Sequence, residues 1–114
     1  AHSPLMESAS AHFRRALEAV NFHRPHVPVY ANIHAQPLTT AAAIRQELEQ
    51  QLTHSVLWSD SVRAMTAAGA STFVEVGPKD VLAGLIKRID RDTTRFTLNN
   101  LENLQAFIAA ANAG

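Results

Sequence analysis

A chain of 114 residues is long enough to bury roughly two-thirds of the surface its unfolded form exposes, and an apolar fraction of 46% excludes a disordered polymer. Ten basic and ten acidic residues cancel, so no broad cationic face for nucleic acid follows from the charge balance. The absence of cysteine excludes a disulfide scaffold, a thiolate zinc centre and a cysteine nucleophile.

The elements read in chain order as helices alternating with short strands. Ser3-Pro4 is a helix-start pair, because serine caps free N–H groups and proline at the first position gives up a donor that was unpaired anyway. Leu5, Ala9, Phe13, Leu17 and Val20 then recur at helical spacing, and the helix should end near Asn21. Val27–Ile33 is rich in β-branched residues and reads as a buried strand, followed by the polar segment His34–Thr40. Thr39 or Thr40 caps a second helix, Ala41–Leu52. Ser59 caps a third, from about Asp60 to Ala68, with Gly69 as its stop. Thr72–Val76 is a second strand, broken by Gly77-Pro78. A fourth helix follows, with an apolar stripe of Val81, Leu82, Leu85, Ile86 and Ile89. Arg95–Thr97 is a short third strand, and Leu101–Ala111 a last helix capped by Asn99 or Asn100.

Strands separated by helices predict an α/β layer structure with a parallel sheet. Two or three strands make a poor sheet alone, and the chain opens at a helix start, so an upstream part should supply the others. No apolar run approaches the ~20 residues of a membrane span. No signal peptide opens the chain, and the protein reads as soluble and cytoplasmic.

Six histidines are the first candidates for chemistry. His23 and His26 have a His-x-x-His spacing but no nearby acidic ligand, and no His-Glu-x-x-His helix exists, so no metal site is expected. His12, His34 and His54 read as solvated or capping. His2 directly precedes a capped helix, where a side chain can project from a rigid support. A histidine there can act as general base for a hydroxyl nucleophile; the alternative is a plain terminal residue. No Gly-x-Ser-x-Gly elbow accompanies it. Gly77-Pro78 joins strand to helix but lacks the repeated glycines of a phosphate loop, so it reads as a structural turn. Lys87, Arg88, Arg91 and Arg95 form a short basic cluster, either a solvated face or a docking site for an acidic partner.

His2-Ser3-Pro4-Leu5-Met6, Val27-Pro28-Val29 with Asn32, Gln51-Leu52, Val56-x-Trp58 and Phe73-Val74-Glu75-Val76-Gly77-Pro78 occur in that order. Together they resemble the C-terminal part of the malonyl-CoA:acyl carrier protein transacylases and of the related acyltransferase domains of fatty acid and polyketide synthases. The match runs from residue 2 to about residue 90. Lys79 stands where that family commonly has a further glycine.

The resemblance implies that residues 1–114 are the C-terminal portion of one α/β-hydrolase-like acyltransferase domain, whose N-terminal part carries the nucleophile elbow. It implies malonyl transfer from malonyl-CoA to the phosphopantetheine thiol of acyl carrier protein, through an acyl-serine intermediate, in fatty acid biosynthesis. His2 maps onto the general base, and Gln51 onto the position that orients it, largely through its backbone carbonyl. Lys87 and Arg88 match a basic pair offered to acidic carrier protein. No resident cofactor, nucleic acid or membrane partner is implied, and the chain alone should be inactive. Two other readings remain open at this point. One is an acyltransferase domain of a polyketide synthase; the other is a non-catalytic module that binds carrier protein.

Overall fold

The computed structural model describes residues 4–113. Its contacts group into two compact units, residues 1–64 and 65–114.

The first unit is built on two helices and a hairpin. Helix α1 spans Pro4–Glu18 and buries Ser10 and Leu17. It packs on helix α2, Ala41–Gln50, and on the 3-10 turn Gln51–Thr53 that continues α2. Of the two threonines offered as caps, Thr40 takes the role, its hydroxyl accepting from the Ala43 N–H at 3.1 Å. Helix α1 stops three residues short of Asn21, and the carbonyls at and just past its end are held by a side chain. Arg45 Nη2, from α2, donates to the Leu17 carbonyl at 2.9 Å and the Val20 carbonyl at 3.2 Å. The same guanidinium stacks over the Phe22 ring, 5.3 Å from its centroid.

The buried strand expected over Val27–Ile33 is corrected. The structure has a two-residue strand β1, Val29–Tyr30, paired antiparallel with β2, Pro37–Leu38, which lies in the segment read as a polar connection. Pro25 and Pro28 have no N–H to donate, so the ladder cannot extend backwards. Ala35, at φ +51°, turns the chain back at once, and Ala31 donates to the Gln36 carbonyl at 2.8 Å. Val27 and Val29 are 68% and 44% exposed, while the burial falls on Ala31 and Ile33.

Helix α3, Trp58–Ala67, starts two residues earlier than expected. Ser59 lies inside its first turn and is not the cap. The Leu57 carbonyl accepts the first helical bond from Ser61 N–H at 2.9 Å, and Leu57 N–H is itself held by the Asn32 carbonyl at 2.7 Å. That tertiary bond fixes the point of entry into the helix. Val62, fully buried, and Ser61 face the interior of this unit. Ser61 Oγ donates to the Ala31 carbonyl at 3.3 Å.

The second unit begins with the end of α3. Ala70 N–H bonds to the Met65 carbonyl and Gly69 N–H to the Thr66 carbonyl, both at 3.0 Å, with Gly69 at φ +107°. This paired closure needs a left-handed residue, which explains the glycine. A β–α–β unit follows: β3 (Thr72–Val76), α4 (Val81–Ile89) and β4 (Thr94–Leu98). The strands pair parallel, Thr72 opposite Thr94 through Val76 opposite Leu98. This is the α/β pattern read from the sequence. Helix α5, Leu101–Ala113, packs on β4, where Phe107 meets Phe96 edge-on at 5.1 Å. Asn100 caps it, its side-chain oxygen accepting from Asn103 N–H at 2.8 Å. Of the predicted stripe on α4, Ile86 alone is buried; Val81, Leu82 and Leu85 are exposed within the described residues, as is Val76 of β3.

Candidate functional site

Local chemistry decides how α2 gives way to the turn that carries Gln51. An α-helix continuing past Gln50 would use its carbonyl for a backbone bond from residue 54. Instead Thr53 Oγ1 donates to that carbonyl at 3.3 Å, and His54 Nδ1 lies 2.8 Å from it. His54 is extended, at φ −125° and ψ 155°, so the helix ends there. Gln51 is thus the first residue of a tight 3-10 turn, half-buried, with its N–H bonded to the Leu48 carbonyl. His54, read as solvated or capping, is exposed and lies on the terminal carbonyl of α2.

The segment after α2 is anchored to the hairpin at both ends. Glu47, one helical turn before Gln51, is buried at 7% exposure, and its Oε1 accepts the Ile33 N–H at 2.9 Å. Beyond the turn, the Leu57–Asn32 bond ties the chain to the same stretch. Glu47 is not among the candidates named from the sequence. Its signal was a lone acid on the Ile44–Leu48–Gln51 face of an amphipathic helix, where a charge has no ordinary reason to sit.

His2 lies outside the described residues. Among the described residues, no group of three or more histidine, aspartate or glutamate side chains converges as a metal site would require. His12 accepts from Arg15 Nη2 at 3.0 Å on the exposed face of α1. His23 lines an open cavity of about 460 Å³ with Phe22 and Arg45. His26 lines a separate one of about 160 Å³. His34 lies beside Glu47, Gln46 and Gln50 on a third, also about 160 Å³.

In the second unit, Lys87 and Arg88 occupy the last turn of α4, both exposed. Cations there complement the negative end of the helix dipole, a structural reason for them independent of any partner. Arg95, grouped with them by sequence proximity, points elsewhere. Its Nη1 donates to the Thr93 carbonyl at 2.6 Å, to Thr93 Oγ1 at 2.7 Å and to the Asp90 carbonyl at 3.4 Å. It holds the α4–β4 connection together, so the free basic surface of the cluster is Lys87, Arg88 and Arg91. The Glu75 carboxylate of β3 accepts the Ala83 N–H at 2.8 Å, tying the start of α4 to the sheet. This gives the glutamate of the Phe-Val-Glu-Val-Gly-Pro run a physical role.

No protein-family model matches the chain. Among curated proteins it is 33% identical over 107 residues to the malonyl CoA-acyl carrier protein transacylase of Bacillus subtilis, covering 94% of this chain and 34% of that protein. It is 42% identical over 91 residues to the polyketide biosynthesis malonyl CoA-acyl carrier protein transacylase PksC of the same organism, covering 80% of this chain and 31% of that one. The crystal structure of acyl-carrier-protein-S-malonyltransferase from Bartonella henselae superposes with a TM-score of 0.88 at 34% identity, over 96% of this chain and 35% of that one. The chain therefore spans about a third of the length of the relatives it matches. The resemblance read from the sequence holds along most of the chain, and the fold is that of the corresponding part of these acyltransferases. Among the described residues, no helix is long and apolar enough to cross a membrane.

Proposed function

We propose that this chain is the C-terminal part of a malonyl transacylase, which moves a malonyl group from malonyl-CoA to the phosphopantetheine thiol of acyl carrier protein. One observation carries the reading: identity of about a third, and the same fold, over nearly the whole chain to proteins of that name. No Gly-x-Ser-x-Gly elbow occurs in the sequence. In this reading the nucleophilic serine therefore belongs to the N-terminal part of the same enzyme, and the present chain contributes the base.

His2 accepts the serine proton as the hydroxyl attacks the thioester carbonyl, and returns a proton to the departing coenzyme A thiol. In the second half-reaction it takes the proton of the carrier-protein thiol, whose sulfur attacks the acyl-serine carbonyl, and gives that proton to the departing serine oxygen. The imidazole must face the serine throughout, which is the service assigned to Gln51 through its backbone carbonyl. The tight turn at Gln51, anchored on both sides, supports that assignment: a carbonyl on a stiff backbone holds a ring better than a long side chain does. No resident cofactor is required, since the phosphopantetheine arrives with the carrier protein. Lys87 and Arg88 form the docking pair for that acidic partner, and the enzyme works in the cytoplasm, in fatty acid biosynthesis.

The level of identity to PksC supports a second placement of the same chemistry, in polyketide synthesis. Both placements stand or fall on one experiment. In the intact enzyme, His2→Ala should lower malonyl transfer by about 10²- to 10⁴-fold, the usual worth of a general base. An unchanged rate would refute the catalytic reading.

A further inference from the structure

We propose that Glu47 is a positioning residue, a buried clamp that sets the backbone of the Gln51 turn and through it the catalytic imidazole. The inference rests on the assignment of Gln51 to orienting His2. Ile44, Glu47, Leu48 and Gln51 share one face of α2 by their spacing of three and four residues. Glu47 on that face is buried at 7% exposure, and its second oxygen, Oε2, has no hydrogen-bond partner among the described residues. A carboxylate is costly to bury unless its oxygens are bonded, and here one of the two is bonded.

What an apolar residue cannot do is accept the Ile33 N–H. That donor leaves the two-residue ladder as the chain turns back at Ala35, and Glu47 Oε1 takes it at 2.9 Å. The bond joins points fourteen residues apart in sequence. Two further bonds land beside it, Leu57 N–H on the Asn32 carbonyl at 2.7 Å and Ser61 Oγ on the Ala31 carbonyl at 3.3 Å. The stretch from Glu47 to Leu57 is therefore pinned at each end to consecutive residues of the hairpin, with the Gln51 turn between the pins. Losing the Glu47 bond frees the end nearer Gln51, and the carbonyl that the imidazole needs loses its fixed place.

The test uses the intact enzyme with three changes: Glu47→Met, which fills the volume but cannot accept; Glu47→Gln, which keeps an acceptor oxygen; and His2→Ala, alone and combined with Glu47→Met. Glu47→Met should lower kcat by up to about 100-fold, which a misplacement of about 1 Å can cost, with KM for malonyl-CoA unchanged. The Ile33 amide should exchange faster in the same variant, and Glu47→Gln should restore both rates. In the His2→Ala background, Glu47→Met should have no further effect, because a clamp that acts through the imidazole has nothing left to position. Full kcat in Glu47→Met, failure of Glu47→Gln to restore it, or an equal loss in the His2→Ala background would each overturn the proposal. A full rate in His2→Ala alone would overturn the catalytic reading first and this inference with it, a result distinct from the other three.

Discussion

Glu75 offers a direct test of how the sheet holds the helix that bears the basic pair. The first N–H groups of α4 have no partner within the helix. Asp80, at the cap position, makes no side-chain bond to them. The Glu75 carboxylate, reaching from β3, takes the Ala83 N–H at 2.8 Å from a half-buried position. A hydrogen bond to a charged acceptor contributes about 1.5–3 kcal/mol. A negative charge at a helix N-terminus adds about 0.3–1 kcal/mol. Partial exposure argues for the lower part of the combined range, about 2 kcal/mol. Glu75→Ala should then speed exchange of the Ala83 amide by about 30-fold, at tenfold per 1.4 kcal/mol, read by hydrogen exchange in native buffer. Glu75→Gln keeps the acceptor and loses the charge, so its effect should be smaller, about 0.3–1 kcal/mol. An unchanged Ala83 amide in Glu75→Ala, or equal effects from both variants, would refute the assignment of this carboxylate as the cap of α4.

Gly69→Ala forces a side chain into φ +107°, with open space around the added methyl, so its cost is backbone strain rather than a clash. It should lower stability by about 1–2 kcal/mol in a urea titration. A midpoint at or above that of the parent would reject the helix-closing role. Reversing charge at Lys87 and Arg88 together should raise KM for carrier protein in the intact enzyme and leave KM for malonyl-CoA unchanged, with the difference shrinking as salt is added. Unaltered carrier-protein kinetics would remove the docking assignment and leave the pair as helix-end charges.

Where the signal was local, residues alone were enough. The span of β3 matches Thr72–Val76 as read, because four strand formers in five residues are bounded by Ser71 and by Gly77-Pro78. The caps of α2 and α5 were legible to within two neighbouring residues each, because the capping atom and the N–H it serves lie three residues apart in sequence, and the structure selects Thr40 and Asn100. One error came from a distant partner and one from a local turn. Ser59 looked like a cap until Asn32 set the entry to α3, and Val27–Ile33 looked like a buried strand until Ala35 reversed the chain. For the candidate site, Gln51 was named through family resemblance, but the turn that makes its backbone rigid depends on Thr53 and His54 competing for one carbonyl. Glu47 stood out only as a lone acid on an otherwise apolar helix face, and its partner, the backbone N–H of Ile33, was not legible from spacing along the chain.

The order of residues by itself determined the α/β class, the helix and strand periods, and the ordered motifs that point to acyl transfer. These depend on spacing along the chain, which the backbone turns directly into faces and caps. Tertiary structure alone decided which polar groups pair across the fold: Glu47 with Ile33, Arg45 with the end of α1, and Glu75 with α4. A buried donor or acceptor must find a partner wherever the fold puts one, and sequence distance places no limit on where that is.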